Sequence, residues 1–431
     1  MSRVRADRFT NREGTGSPTF VDGVNVVGVS SLGITTVTGV GQTALTVEGD
    51  VRVTGVVTTS NFTINDSDYP TAGPLSNRNL VGNGAMNIAQ RTEDIVTGVA
   101  NNASEGYQSL DRYAIAFTNT AGGVCAIGQS QTVPANQGFS NSYSLTVTTA
   151  NAAPTGDLEI YPYTRIEAQD VRNSGWNYTD PNSYITLSFW ARSNKAGTHI
   201  VMLAAIDGTA QRIPFEYTLV ADQWTHVVKH IPGNANITID DNTGVGLDIH
   251  WKSLQGSNRN QGTDGVWSDD TTHRGTTNGV NLFDTVGNNF FLTGVQLEVG
   301  QKATPFEHRS HGDDLAKCQR YFYRINGNTA DQTAVSIAYC YDATDGDEQF
   351  RTPILFPVTM RAVPGASGSG GLILHSASNE ITVDSIQSLD ESLYGCGLIL
   401  NCSSSAVAVR DSGMFRLTNT AEANLSFSAE I

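Results

Sequence analysis

Hydrophobic and polar residues alternate with a period of two through most of the chain, and that period belongs to half-buried β-strands. Tyr143, Leu145 and Val147 alternate with Ser144, Thr146 and Thr148, and Ile185, Leu187 and Phe189 with Tyr184, Thr186 and Ser188. His199 to Ile206 is apolar on both faces, the pattern of a central strand. Alternation resumes at Val335, Ile337, Tyr339 and Tyr341, at Leu372, Ile373 and Leu374, at Val407 and Val409, and at Phe415 and Leu417. One segment breaks it. Around Asp313–Tyr323, Leu315, Cys318 and Tyr321/Phe322 share one face at helical spacing. Asp313 and Asp314 lie in the first turn, and Lys317 and Arg320 later, as the helix dipole favours. The pattern predicts an all-β chain with one short amphipathic helix.

The pattern also divides the chain. Residues 1–22 are polar and locally basic, with Arg3, Arg5, Arg8 and Arg12, and hold too few apolar residues to form a core. They read as a segment ordered by docking on a partner, or as a floppy tail. Residues 23–64 are rich in Val, Thr and Gly, with alternation at Leu45/Val47 and Val51/Val53 and glycines at 28, 33, 39, 49 and 55. One such chain buries too little apolar surface to offset its ordering entropy, whereas three chains about one axis share a core and hide their strand edges. A fibrous homotrimeric β-shaft is expected there, with a single β-solenoid or part of a sandwich as the rival. Residues 65–78, with Asp66, Asp68, Pro70, Gly73 and Pro74, are a linker by composition. Residues 79–309 carry many short strands and long polar loops, and are expected to form a β-sandwich jelly roll. Residues 310–431 are expected to be a β-rich C-terminal tip joined by the short helix.

Composition sharpens this. The chain has 431 residues, long enough for two or three domains, and 16 % of them are charged, with 43 Gly against 13 Pro. Long soluble helices are rich in Glu, Lys, Arg and Ala, and that composition is missing. A net charge of −16 argues against a nucleic-acid partner, which needs basic patches. Cys125, Cys318, Cys340, Cys396 and Cys402 are an odd number at wide spacings with no CxxC pair, so no disulfide framework is expected. Cys340 alternates with aliphatic residues and reads as a small buried hydrophobe. Met1 to Arg8 lacks the apolar run of a signal peptide, and no stretch approaches a membrane span. Folding in a reducing cytoplasm fits these features, with no standard secretion signal and no membrane insertion expected.

Several phrases carry a family resemblance. Asn79-Leu80-Val81-Gly82-Asn83-Gly84-Ala85-Met86-Asn87-Ile88-Ala89-Gln90-Arg91 is similar to the opening of bacteriophage tail-fibre jelly rolls with a carbohydrate-binding-module-like fold. Asp111-Arg112-Tyr113, Ser188-Phe189-Trp190-Ala191-Arg192-Ser193 and Gln223-Trp224-Thr225 match later landmarks in order. Phe291 to Gly300 with Ala303-Thr304-Pro305-Phe306-Glu307-His308-Arg309 resembles the last strand and the hinge to the distal domain. Cys318-Gln319-Arg320-Tyr321-Phe322 and Phe356-Pro357-Val358-Thr359-Met360-Arg361 resemble the start of that domain. The N-terminal peptide looks like one shared by structural proteins of cyanophages. The resemblance implies virion attachment through residues 1–22 and a receptor-facing tip.

Candidate chemistry is sparse. His226 and His230 are four apart, but the segment alternates like a strand, so no zinc site is expected. Asp342 to Glu348 and Asp240-Asp241-Asn242 lack the ligand spacing of a calcium loop and read as acidic turns. Gly365 to Gly371 lacks the closing Gly and the helix of a nucleophile elbow, and reads as a flexible loop. No catalytic residue, metal or cofactor is expected. Trp251, Trp267, Asp269 and His273 fall on one polar stretch, where a Trp stacks on a sugar face while polar side chains bind its hydroxyls. The competing reading folds Trp267 back to cap the sandwich or to pack on a neighbouring subunit. Tyr394 is a further apolar anchor beyond Pro364. The expected function is non-covalent adhesion to a host-surface glycan. A non-adsorbing virion fibre and a glycan-degrading enzyme are the alternatives.

Overall fold

The computed structural model describes residues 63–64, 67–68, 77–100, 106–118, 122–327, 334–342, 349–376, 379–402, 412–418, 420 and 423–431. The attachment peptide expected over 1–22 and nearly all of the shaft expected over 23–64 lie outside them, as do the turn at 343–348 and the strand expected at Val407 and Val409. The chain divides into Met1–Ser60 and Asn61–Ile431, and the second unit is described here. Of the described residues, 49 % are strand and 5 % helix, so the chain is nearly all β.

A two-strand hairpin, β1 (Thr63–Ile64) and β2 (Ser67–Asp68), comes first. The sandwich begins with β3 (Val96–Val99), β4 (Ala114–Thr118), β5 (Val124–Ser130), β6 (Ser142–Thr149) and β7 (Glu159–Glu167). After α1 (Ala168–Arg172) come β8 (Tyr184–Ser193), β9 (Gly197–Ala205), β10 (Gln211–Leu219) and β11 (Thr225–Pro232). β12 (Val245–Lys252), β13 (Leu254–Gln255) and β14 (Asn289–Val299) complete it. One sheet has the order β10-β9-β12-β7-β13, with β4 also on β7, and the other β11-β8-β14-β6-β5-β3. All pairings within them are antiparallel. Leu145, Leu187, Phe189, Ile160, Leu203 and Ile249 project from the two inner faces into one core, the jelly-roll-type sandwich that the alternation predicts.

Trp251 belongs to that core, which corrects its assignment to a ligand-facing stretch. It stands between His250 and Lys252 on β12, opposite Val201, so the pleat turns it inward. It is 1 % exposed, with ring centroids 6.2 Å from Tyr113 and 5.9 Å from Phe189.

β14 changes register between Thr293 and Gln296, so that Phe290 and Leu292 and then Val295 and Leu297 all face inward. A bulge inserts the extra residue. Gly294 makes it possible. Its φ is 64°, and a Cβ there would lie 2.6 Å from Phe139 Cζ. Asn79 locks the chain's entry onto this bulge. Its Nδ2 donates to Val295 O at 3.0 Å, while its Oδ1 accepts from Leu297 N and Val81 N.

The second layer opens with α2 (His311–Gln319), capped by Ser310, whose Oγ accepts from Asp313 N at 3.2 Å. Then come β15 (Phe322–Asn326), β16 (Ala334–Asp342), β17 (Gln349–Leu355), β18 (Gly365–Ser369) and β19 (Leu372–Ser376). β20 (Asn379–Leu389), β21 (Gly395–Cys402), β22 (Ser412–Thr418) and β23 (Asn424–Ser428) follow. β16-β17-β21-β20-β19-β22 close into a barrel, and β15-β23-β18 form a three-stranded sheet beside it. Its core includes Phe350, Leu374, Leu400, Phe415 and Phe427.

Gly365–Ser369 is therefore a strand on β23 and not the flexible loop its composition suggests. The glycine φ values of 46° and 63° at Gly370 and Gly371 make the turn that follows it. A second bulge, between Ser336 and Ala338, sets β16 so that Cys340 enters the core while Tyr339 and Tyr341 face out. All five cysteines are free and buried.

The sandwich and the barrel layer meet at a bonded junction. Arg112 stacks 3.3 Å over the Tyr321 ring and Arg91 3.7 Å over Phe322. Arg112 pairs with Glu430 at 2.7 Å, and Arg91 pairs with Asp111 at 3.0 Å and Glu430 at 3.1 Å. Arg320 grips Glu167 through two nitrogens at 2.7 and 2.8 Å, and Tyr321 Oη donates to the same carboxylate at 2.6 Å. Arg361 donates to the Thr243, Ala429 and Glu430 carbonyls. The phrases that carry the family resemblance, Gln90-Arg91, Asp111-Arg112-Tyr113, Cys318 to Phe322 and Met360-Arg361, thus meet in space.

Candidate functional site

The period-two alternation of β7 places Ile160 and Ile166 in the core and turns Glu159, Tyr161, Tyr163, Arg165 and Glu167 to the opposite face. β12 does the same with Asp248, His250 and Lys252, and the register sets Asp248 against Arg165 and His250 against Tyr163. On the far side, β4 sets the small Ala114 and Ala116 against Tyr163 and Tyr161. The outer face of this sheet is therefore an aromatic and charged floor.

The floor has two halves, one sealed by an ion pair and one built on stacked rings. In the sealed half Lys252 Nζ meets Glu159 Oε1 at 2.6 Å, both side chains being 1 % exposed. Arg274 Nη1 reaches Glu159 Oε2 at 3.2 Å from the loop after β13. Burial pushes the Glu159 carboxyl up, but Lys252 and Arg274 outweigh it and hold its pKa below the ordinary value. This half pins the loop to the sheet.

In the ring half Tyr161, Tyr163, Asp248 and His250 are 8, 9, 4 and 5 % exposed, and the Tyr161 and His250 rings stack at 4.1 Å with planes 16° apart. Tyr107 closes on Tyr163 edge-on at 6.2 Å, and Arg165 lies 4.7 Å over Tyr163. Lys252 Nζ approaches His250 Nδ1 at 3.3 Å. An ammonium has no lone pair to offer, so Nδ1 accepts and the ring proton sits on Nε2. Nε2 lies 2.9 Å from Asp248 Oδ2. Asp248 Oδ1 is a buried polar atom without a hydrogen-bond partner. Burial lowers the His250 pKa against the raising effect of Asp248. Burial opposes ionisation of Asp248, but His250 and Arg165 overcome it and lower its pKa.

Such a floor gathers ring faces, a carboxylate, an imidazole and a guanidinium, the kinds of group that bind a polar ligand with apolar faces. Glu159, Glu167 and Asp248 on this face all have lowered pKa values, whereas a glycosidase pair combines one raised carboxyl with one ionised carboxylate. Among the described residues no group of His, Cys, Asp and Glu is placed to hold a metal ion, and no helix is long and apolar enough to cross a membrane.

The residues singled out in the sequence do not assemble here. Trp267 is half-buried against the sandwich core, and its Nε1 donates to Pro232 O at 2.9 Å. It caps the sandwich. His273 is buried, with Nε2 donating to Val266 O at 2.8 Å. Asp269 is exposed, and its carbonyl accepts from Arg212 Nη1 at 3.2 Å. Tyr394 stands 67 % exposed on the barrel. Sequence reasoning missed Tyr161, Tyr163, Asp248 and His250. Their signal is charged and aromatic residues recurring every second position within otherwise apolar strands.

No family model matches the chain, and no curated protein matches it. Solved structures similar to it include the enzymatically active domain of tailspike protein 4 of bacteriophage CBA120. That match is 14 % identical, covers 52 % of this chain and 22 % of the tailspike chain, and has a TM-score of 0.28. The family 11 carbohydrate-binding module of a Clostridium thermocellum cellulosomal cellulase is 11 % identical over 50 % of this chain and 99 % of its own, with a TM-score of 0.25. An arabinose-bound α-L-arabinofuranosidase is 10 % identical over 51 % of this chain and 27 % of its own, with a TM-score of 0.25.

Proposed function

We propose that the chain is a non-catalytic adhesion subunit of a bacteriophage tail fibre, which binds a host-surface glycan without cutting it. The observation that carries glycan binding is the stacked Tyr161–His250 pair beside the unpartnered Asp248 Oδ1. The virion role rests on the resemblance of the phrases from Asn79 to Arg361 to tail-fibre jelly rolls. In this reading residues 1–22 dock on another virion protein and residues 23–64 trimerise the chain. Three weak sites on one particle appendage give avidity without a tight single site. The low pKa of both floor carboxylates favours adhesion over degradation.

The test is binding of the full-length protein to purified host-envelope polysaccharide, by calorimetry, with an assay for released reducing ends. Binding without release is expected. Release of saccharide would replace adhesion by hydrolysis. Immunogold labelling of the particle then separates an adsorbing tail fibre from a neck, whisker or capsid fibre.

A further inference from the structure

We infer that the outer face of barrel strands β16, β17 and β21 is the surface against which a second copy of this chain packs. The inference rests on the homo-oligomer reading above and names the face that reading requires in the tip.

The face is built by register. Tyr341 stands beside Arg351, Arg351 beside Ile399, and Tyr339 beside Met414. Pro353 and Leu355 lie over Gly397 and Gly395. Phe356 N donates to Tyr394 O at 2.9 Å, which brings Tyr394 next to Leu355. Tyr339, Leu355 and Tyr394 are 75, 81 and 67 % exposed, and Tyr341 is 58 % exposed. Single exposed apolar side chains are ordinary, whereas a contiguous set of this size marks an interaction surface.

Its charge identifies the occupant. The chain carries 42 acidic residues and a net charge of −16, so two copies repel wherever their carboxylates meet. β16, β17, β21 and β22 hold one carboxylate residue, Asp342 at the end of β16 opposite Phe350, and the row Tyr339, Tyr341, Arg351, Pro353 and Leu355 holds none. Tyrosine, methionine and arginine without Asp, Glu or Lys is the composition of a protein interface core. Arg351 and Arg416 make no ion pair among the described residues, and the Nε of each lacks a hydrogen-bond partner. Exposed Asp390 and Glu391 lie on the turn that leads to Tyr394, at the opposite corner. A copy related by a two-fold axis through the face would set Arg351 against Arg351. A head-to-tail copy sets Arg351 against the acidic corner, the arrangement of a closed cyclic ring.

The experiment places p-benzoylphenylalanine at Tyr339 of the full-length protein and irradiates it at micromolar concentration. Light scattering and mass spectrometry of the adduct follow. The expected product is a covalent pair of chains, joined from position 339 to the β17–β21 face or the 390–394 turn. Leu355→Asp in the same protein is expected to reduce that product at least tenfold with an unchanged near-ultraviolet circular dichroism spectrum. An oligomer that yields no adduct at 339 overturns this inference and leaves the oligomer reading standing. A monomeric full-length protein overturns both. Loss of the adduct on adding host polysaccharide, with the oligomer intact, would assign the face to a glycan instead.

Discussion

The Tyr161 ring lies face to face with the His250 imidazole at 4.1 Å, although the two residues sit on different strands and 89 positions apart. The register that pairs β12 with β7 brings them together, and His250 in turn orients toward Asp248. If this arrangement binds a saccharide, Asp248→Asn and Tyr163→Ala should each weaken binding to the host polysaccharide about tenfold, near 1.4 kcal/mol. Trp267→Ala should lower the melting temperature instead, because that ring caps the core. Calorimetric titration beside a thermal melt reads both outcomes. Unchanged affinity in both floor variants would remove the site from this face.

The buried Lys252–Glu159 pair makes a prediction about stability. Lys252→Met leaves Glu159 buried with its remaining partner Arg274. Breaking a buried pair from one side costs about 3–5 kcal/mol, and Arg274 should hold the loss to the lower end. Replacing both partners, Lys252→Met with Glu159→Leu, should recover part of it. Denaturant unfolding with constant slope is the measurement.

Asp111 gives a pH dependence of the opposite sign to the floor carboxylates. Burial pushes its pKa up to about 7, against the lowering effect of Arg91 and Gln90, and Glu430 adds to the rise. A carboxyl raised in the fold binds more protons folded than unfolded, so its contribution is most favourable at low pH. That contribution is lost as pH rises from the unfolded value near 4 through about 7. Glu159, Asp248 and Glu167 are lowered, so theirs is present at neutral pH and disappears as pH falls below the ordinary carboxylate range. The melting temperature should rise from pH 8 to pH 6 and fall again below pH 4. In Asp111→Asn the first slope should flatten, and an unchanged slope would show that general charge repulsion causes it.

Gly294→Ala tests the bulge. The new Cβ would meet Phe139 Cζ at 2.6 Å in a left-handed backbone, which costs about 1–3 kcal/mol. Phe139→Leu in the same chain should recover only the steric share, leaving the backbone strain.

Much of the β pattern is legible in the sequence because alternation is local. Tyr143, Leu145 and Val147, or Ile185, Leu187 and Phe189, announce their buried face directly. Bulges are less legible. Tyr339 and Tyr341 appear to continue the inward row of Val335 and Ile337, and one extra residue at Ser336–Ala338 turns them outward. Trp251 was misread for a related reason: it follows Asp248 and His250, and polar neighbours on an adjacent pleat look like a polar loop. Gly365–Ser369 is a strand because β23 supplies hydrogen bonds that its own composition does not announce. The floor itself needs the β7–β12 register, which joins residues far apart in sequence.

The bonded junction has a consequence for recombination between related chains. The barrel layer leaves the sandwich at Ser310 and returns to it at Glu430, whose carboxylate meets Arg112 and Arg91. Departure and return are on the same side, so the whole layer is exchangeable as one cassette. A crossover inside the barrel is different. If the incoming half lacks a carboxylate at position 430, or an aromatic ring at 321, Arg112 keeps its burial and loses its partners, a change of about 3–5 kcal/mol. Viable mosaics should therefore break near Ser310 and inherit Tyr321, Phe322, Arg361 and Glu430 from a single parent.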